Sequence, residues 1–124
     1  MVDRNADIPV SQFIDVESYT VPLLLIPLPA GGCLPVSLVA GGQWSIGRSQ
    51  DNAIVLKNKW VSRKHAVVQS VKMNSIYLVY FIDLDSLNGS MVNHQPVRKT
   101  ILLQHEDVIT IGNIELKFYY RSSF

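Results

Sequence analysis

The sequence predicts an all-β fold, a sandwich of two sheets built from ten or eleven short strands. Short apolar segments recur at intervals of roughly 8–12 residues, and clusters of Gly, Pro, Asn and Asp separate them. No apolar pattern at helical spacing persists for about ten residues behind a capping residue. A chain of 124 residues is long enough to bury one such core and short for a second.

The first half of the chain predicts three strands. A strand is expected at 23–28, where the prolines are typical of an edge. Gly-rich residues 30–32 predict a turn into a strand at 34–40, so that the two form a hairpin. Residues 43–46 alternate between polar and apolar, as a half-buried third strand should.

The rest of the chain continues this pattern. Further strands are expected at 53–56, 65–71, 76–82, 90–93, 96–98, 100–103, 107–111 and 114–120. The continuous apolar run at 76–82 predicts a central strand buried on both faces. Gly112 and Asn113 predict a tight turn between the last two strands.

Charge is balanced overall but unevenly distributed. The net charge is +1, with 48% hydrophobic and 17% charged residues, which is typical of a globular protein. Residues 48–72 contain six basic side chains against the single acid Asp51. This segment lacks interleaved aromatic residues apart from Trp60, so we expect no nucleic-acid partner.

Cysteine content and the N-terminus predict a cytoplasmic protein without membrane insertion. Cys33 is the only cysteine, which excludes an internal disulfide framework. The first twenty residues lack the apolar run of a signal peptide, and the apolar window at 21–28 is too short to span a bilayer. Residues 1–18 are expected to be a flexible acidic arm, 19–121 the folded domain and 122–124 a short tail.

Three polar motifs interrupt the strand pattern: Ile-Gly-Arg-Ser at 46–49, Ser-Arg-Lys-His at 62–65 and Ser-Leu-Asn-Gly-Ser at 86–90. Each lies where a strand begins or ends, the position from which loops present side chains to ligands. Together the motifs supply a guanidinium, a hydroxyl and an amide. That combination suits an anionic group on an extended peptide better than it suits bond-breaking chemistry.

Taken singly, each motif has a simpler structural interpretation. Arg48 could form a surface ion pair with Asp51 or Asp85. Ser62 could cap a turn or a helix, and Asn88-Gly89 could be a turn that needs a positive φ.

The order and spacing of the motifs are more specific than any one of them. Gly-Arg after a strand, Ser-Arg-x-His about fifteen residues on, and Ser-x-Asn-Gly about twenty-five residues later, with Asn93 beyond, resemble the forkhead-associated (FHA) domain. The resemblance runs from about residue 23 to residue 120 and includes the segments 51–56 and 107–112.

The resemblance implies a non-catalytic phosphothreonine-binding module, an eleven-stranded sandwich with its ligand loops at one end. By position, Arg48 and Ser62 would contact the phosphate, Ser62 through its hydroxyl and its backbone N–H. Arg63 holds the next ligand-contacting position of that loop. Asn88 would hydrogen-bond the peptide backbone beside the phosphothreonine.

Four further positions match structural roles in the family. Gly47 would form the loop turn, His65 would brace the loops through its imidazole, and Gly89 would allow close packing. Asn93 is expected to brace the same end of the sandwich.

Leu87 departs from the family pattern, because many members carry threonine there and use its hydroxyl for phosphate. The backbone N–H of Leu87 would remain available. Either Ser86 or Lys59 would compensate, or the phosphate would be held less tightly. The residues expected to tune specificity or charge are Ser49, Lys59, Trp60, Asp85 and Ser86.

The implied partner is a threonine-phosphorylated protein, and hence a Ser/Thr kinase system, with no cofactor or metal. The alternative is a phosphate-independent interaction or assembly module on the same fold. A third hypothesis places a phosphorylated Thr20 in the site of its own or a neighbouring chain. Catalysis is disfavoured, because Ser62 and His65 come with no nucleophile elbow or oxyanion hole. Scattered histidines and a failed calcium-loop pattern at 83–87 argue against a metal.

Overall fold

A computed structural model describes residues 21–39 and 41–121 of the chain. The expected N-terminal arm and the C-terminal tail lie outside the described residues. The strands of the described part are β1 (Leu23–Pro27), β2 (Cys33–Ser37), β3 (Gln43–Gly47), β4 (Ile54–Val55), β5 (Ala66–Met73), β6 (Ile76–Asp83), β7 (Ser90–Val92), β8 (Gln95–Pro96), β9 (Thr100–Leu102), β10 (Val108–Ile111) and β11 (Ile114–Tyr119).

These eleven strands form two sheets, which confirms the predicted all-β sandwich. The six-stranded sheet has the order β2-β1-β11-β10-β7-β8, and the five-stranded sheet has the order β4-β3-β5-β6-β9. The predicted β1–β2 hairpin forms, as does the tight turn after β10, where Ile111 pairs with Ile114. β4 is shorter than expected, with two residues, and it pairs in parallel with β3.

The core lies between the sheets and is lined by alternate residues of the strands. On β5, for example, Ala66, Val68 and Ser70 are buried and face the other sheet. The largest fully buried apolar side chains come from both sheets: Phe81, Phe118, Leu24, Leu38, Ile46, Ile109, Ile111 and Leu116. Burial of a side chain of this size contributes about 1.5–3 kcal/mol, so this layer holds the two sheets together.

The prediction that β6 is buried on both faces is wrong. Val79 and Phe81 are buried, but the alternate residues Ile76, Leu78, Tyr80 and Ile82 are only half-buried. In a two-layer sandwich each sheet packs against the other through one face only, and no described residues cover the opposite face of β6. β6 also lies next to the edge strand β9. The apolar run therefore identifies the strand but not the burial of its outer face.

Strand register brings the three polar motifs to one end of the sandwich. Ile46 at the end of β3 pairs with Ala66 at the start of β5, and Ala66 pairs with Asp83 at the end of β6. The loops that leave β3, enter β5 and leave β6 therefore emerge together. Across the described residues, no helix is long and apolar enough to cross a membrane.

Candidate functional site

Ser62 lies at the meeting point of the three loops. Its carbonyl oxygen accepts the backbone N–H of Arg48 at 3.0 Å, and its side-chain Oγ accepts the backbone N–H of Leu87 at 3.0 Å. The next carbonyl along, that of Arg63, accepts the N–H of Ser49 at 3.3 Å. The motifs are thus joined by direct hydrogen bonds, and Ser62 and Leu87, which bond to each other, lie 25 residues apart in the chain.

Gly47 permits the close approach of the first two loops. A Cβ atom at this position would lie 2.2 Å from the carbonyl oxygen of Arg63, a distance that no side chain can tolerate. The buried Asn52 then joins the same loops, because its Nδ2 donates to the carbonyls of Ser49 at 2.7 Å and Arg63 at 2.8 Å. The sequence argument did not assign Asn52 to the site. Its place directly after the Arg48 loop was the available signal.

The Arg48 side chain is exposed, with one end held in place. Its Nε donates to the Val61 carbonyl at 3.0 Å, and no other hydrogen bond or ion pair of its guanidinium is found among the described residues. The simpler interpretation, an ion pair with Asp51 or Asp85, is not realised. Asp51 instead binds Lys64 at 2.9 Å, and the hydrogen bond from Lys64 lowers the pKa of Asp51. The terminal nitrogens of Arg48 therefore have no hydrogen-bond or ion-pair partner among the described residues.

His65 is fully buried and links the second loop to the third. Its Nδ1 accepts the Ser62 backbone N–H at 3.0 Å, and because a backbone N–H can only donate, the ring proton must sit on Nε2. Nε2 then donates to the Gly89 carbonyl at 3.0 Å and the Ser90 Oγ at 3.1 Å. The expectation that the Ser62 N–H contacts phosphate is therefore wrong, since that N–H is already bound.

Asp83 anchors the network beneath His65. Its Oδ1 accepts the hydroxyls of Ser86 and Ser90, each at 2.6 Å, and its Oδ2 accepts the Ser86 N–H at 3.0 Å. Burial alone would raise the pKa of Asp83, but the hydrogen bonds from Ser86 and Ser90 lower it. The sequence argument missed this anchoring role, since it considered residue 83 only within the rejected catalytic and calcium-loop alternatives.

The Asp83 contacts also correct the expected role of Ser86. A hydroxyl can donate one hydrogen bond, and the Ser86 hydroxyl donates its bond to Asp83. Ser86 is therefore no substitute donor for the threonine hydroxyl that is missing at position 87. Asp85, beside it, is exposed and adopts a positive φ of 52°, which places it in the turn of the loop.

Leu87 stands almost entirely in solvent, with 89% of its surface exposed. Its backbone N–H was expected to remain available to a ligand, but it donates to Ser62 Oγ. That contact uses a lone pair of the Ser62 hydroxyl and leaves its proton free. Ser62 can therefore still donate one hydrogen bond to an anion.

Asn88 and Trp60 form the wall of a groove beside Ser62. Asn88 Nδ2 donates to the Trp60 carbonyl at 2.9 Å, and the Trp60 N–H donates to Asn58 Oδ1 at 2.9 Å. The Trp60 ring is 49% exposed, and the Lys59 ammonium lies 5.0 Å from its centre. The groove has a volume of about 390 Å³ and is lined by Trp60, Asn88, Gly89, Ser90, Met91, Thr110, Gly112 and Asn113.

The turn after β10 supports this wall and was not predicted to take part. Asn58 forms a side-chain hydrogen bond with Asn113, so the β10–β11 turn is tied to the loop that carries Trp60. A Cβ on Gly112 would come within 2.9 Å of Asn58 Oδ1. The sequence predicted Gly112-Asn113 only as a turn, because no local pattern indicated its contact with Asn58.

Asn93 does not brace the recognition end, contrary to expectation. It follows Val92, at the opposite end of β7 from Ser90. There Asn93 Nδ2 donates to Asp107 Oδ1 at 2.8 Å, and its Oδ1 accepts the Val108 N–H at 2.9 Å. Asn93 therefore braces the β7–β8 turn against the start of β10.

Comparisons with known proteins agree with this geometry. The family model described as "FHA domain" matches residues 44–112, more than half of the chain and all three motifs. The chain belongs to the FHA family.

Relatives of this FHA domain include a longer regulator. The transcriptional regulatory protein EmbR of Mycobacterium tuberculosis is 41% identical over 73 residues, which are 59% of this chain and 18% of EmbR. The chain therefore matches less than a fifth of that relative.

Solved FHA domains share the fold over most of the chain. The FHA domain of CT664 from Chlamydia trachomatis superposes with a TM-score of 0.74 at 24% identity, covering 82% of this chain and 99% of that one. The MEK1 FHA domain in complex with a phosphothreonine-containing HOP1 peptide gives a TM-score of 0.69 at 28% identity, with 82% and 97% coverage.

Proposed function

We propose that this FHA domain is a non-catalytic adaptor module that binds a threonine-phosphorylated segment of a partner protein. The main support is the pairing of Arg48 and Ser62. The Arg48 guanidinium is held by one hydrogen bond and keeps its terminal nitrogens for a ligand, while the Ser62 hydroxyl beside it retains its proton. The binding of a phosphothreonine peptide by the related MEK1 domain supports the same assignment.

The charges near this site suit a phosphate. A phosphothreonine carries about −1.5 to −2 charges and three strong acceptor oxygens. Lys57, Lys59 and Arg63 are exposed near the loops, and none of them forms an ion pair with the described residues. Lys64 is partly neutralised by Asp51. The site thus has unpaired positive charge around two directed donors, which favours both the encounter and the bound state.

The peptide chain would continue along the groove beside Asn88. Asn88 Nδ2 is bound to the Trp60 carbonyl, which leaves Asn88 Oδ1 to accept a peptide N–H. The half-exposed Trp60 ring would then contact residues beyond the phosphothreonine. In this proposal Trp60, Lys59, Arg63 and Asp85 select the sequence of the partner.

Leu87 makes the proposed site weaker than one with threonine at that position. The Leu87 side chain cannot donate a hydrogen bond, and its backbone N–H already donates to Ser62. The neighbouring Ser86 hydroxyl already donates to Asp83. The phosphate is therefore held by fewer donors from this loop. We propose that the domain recognises its phosphopeptide mainly through the Arg48 and Ser62 side.

Titration calorimetry with a phosphothreonine peptide selected from an oriented library tests the proposal. We expect the phosphorylated peptide to bind and its unphosphorylated form not to bind. Arg48→Ala should weaken binding by at least ~10-fold, because a charge-assisted hydrogen bond contributes about 1.5–3 kcal/mol. Lys72→Ala, which removes an equal charge at the far end of β5, should leave the affinity within about twofold.

Phosphatase treatment of a captured partner separates this proposal from a phosphate-independent assembly module. Loss of binding after treatment supports phosphothreonine recognition. Equal binding before and after treatment, together with an unchanged affinity in Arg48→Ala, would overturn it.

A further inference from the structure

The outer face of the five-stranded sheet is apolar and carries no charged side chain. Cross-strand pairing defines this face: Val67 lies opposite Ile82, Val71 opposite Leu78, and Met73 opposite Ile76. Across the neighbouring pair of strands, Tyr80 lies opposite Leu102. We call these residues the outer apolar face: Val67, Val71, Met73, Ile76, Leu78, Tyr80, Ile82 and Leu102.

None of these side chains belongs to the core. The buried partners of the same strands, such as Val68 and Phe81, point to the other sheet, so the outer apolar face points away from it. Val71 is 36% exposed, Met73 55% and Leu102 42%. In a two-layer sandwich this side of a sheet normally carries polar residues, because it meets water.

The charges of these strands are all turned to the opposite side. β3, β5, β6 and β9 contain two charged residues, Lys72 and Asp83. Lys72 pairs with Tyr77 and lies over its ring at 5.5 Å, and Asp83 is bound within the loop network. The polar residues that remain on the outer side are uncharged: Gln43, Ser45, Gln69 and Thr100.

We propose that the outer apolar face is a self-association surface, on which a second copy of this chain packs. An uncharged face is complementary to itself, because two copies related by a two-fold axis oppose no like charges and bury no unpaired ones. A partner of different sequence would be expected to select a face with some charge for orientation. This proposal is independent of phosphopeptide binding.

The size of the face fits a weak, reversible dimer. β5 and β6 have eight residues each and span about 26 Å, whereas β3 has five residues and β9 has three. The four strands together present a footprint of about 400 Å², so two such faces stacked about 10 Å apart, as in a sandwich core, would remove roughly 800 Å² in total. That area lies below the range of stable specific interfaces, so a transient dimer that dissociates at high micromolar concentration is expected.

The arrangement leaves the recognition loops open. The loops emerge at one end of the sandwich, whereas the outer apolar face covers a side of it. A dimer formed through the face would present two phosphate sites. It would bind a doubly phosphorylated or clustered partner more tightly than a monomer does.

Sedimentation velocity on the complete chain tests the proposal, with a reducing agent present because Cys33 is exposed. From low micromolar to several hundred micromolar protein, the mean sedimentation coefficient should rise towards that of a dimer. Val71→Lys and Leu102→Lys should each keep the protein monomeric throughout, because each places a charge in the contact. Leu34→Lys, on the exposed β2 edge of the other sheet, should behave as the unaltered chain.

Circular dichroism checks that each variant is folded. Two lysine variants are used so that the test still stands if one of them does not fold. Dimerisation that Val71→Lys and Leu102→Lys both leave unchanged would place the contact elsewhere and overturn the proposal. A chain that stays monomeric at every concentration would also overturn it. The face would then be left to residues 1–20 or to a different protein.

Discussion

At the loop end of the sandwich polar groups are paired one by one, whereas no layer of described residues packs on the outer apolar face of the five-stranded sheet. The loop end depends on directed contacts such as the His65 bridge between Ser62 and Gly89. The outer face is uncharged and presents mainly apolar surface. Directed donors suit a small charged ligand, while a broad uncharged surface suits another protein of similar shape.

The loop end should be the more sensitive region to a single substitution. His65→Ala removes a fully buried side chain and unpairs the partly buried Ser62 N–H and Gly89 carbonyl, so we expect a loss of about 2–4 kcal/mol in the free energy of unfolding. Urea denaturation measures it, and phosphopeptide affinity should fall as well. His94→Asn, in an exposed turn, is the control and should change stability by less than about 0.5 kcal/mol. A stable His65→Ala variant would mean that the network does not hold the loops.

Acid should weaken the loop end before the outer face. Because the folded-state pKa of Asp83 lies below its usual value of 3.8, its carboxylate stabilises the fold above that pH. This contribution is lost as the pH falls from there through the lowered pKa. Asp83→Asn should lose about 1.5–3 kcal/mol at neutral pH, because charged hydrogen bonds become neutral ones.

The difference between the unfolding free energies of the natural chain and Asp83→Asn should shrink as the pH falls below about 4. Denaturant unfolding at a series of pH values measures it. Asp85→Asn, in the same loop but exposed, is the matched control. A constant difference across the series would contradict the assigned role of Asp83.

Salt should separate the two regions. Raising sodium chloride from about 0.1 to 0.5 M should weaken phosphopeptide binding several-fold, because exposed charges are screened over a shorter distance. Self-association through the uncharged face should not weaken under the same change, and sulfate should strengthen it. Calorimetry and sedimentation velocity measure the two effects. Dimerisation that weakens in parallel with peptide binding would show that charges carry both contacts.

Replacing Leu87 should produce the smallest effect. Leu87→Thr adds a hydroxyl at the loop beside Ser62, and we expect the phosphopeptide affinity to rise by about two- to tenfold. Leu87→Val, which is β-branched but has no hydroxyl, is the control and should leave the affinity unchanged. Calorimetry distinguishes the two, and equal affinities would show that this side of the site does not reach the phosphate.

The sequence by itself determined where the strands lie, and the order and spacing of the three motifs predicted that they form one site. The partial alternation at 65–71, the apolar run at 76–82 and the turn at 112–113 are local patterns, because strand period and turn chemistry depend on near neighbours. The family resemblance rested on the spacing of residues such as Arg48, Ser62 and Asn88. These predictions needed no knowledge of long-range contacts.

Only the tertiary structure decided which groups are still free. The Ser62 N–H donates to His65, the Leu87 N–H donates to Ser62, and the Ser86 hydroxyl donates to Asp83, so none of these three donors is left for a ligand. The first and last of these partners are three residues apart, but their geometry depends on how the loops meet. In the same way, no local pattern distinguishes a β6 covered on both sides from one with an open outer face. Burial is a property of what packs against a strand, and the second layer of this sandwich covers only one side of it.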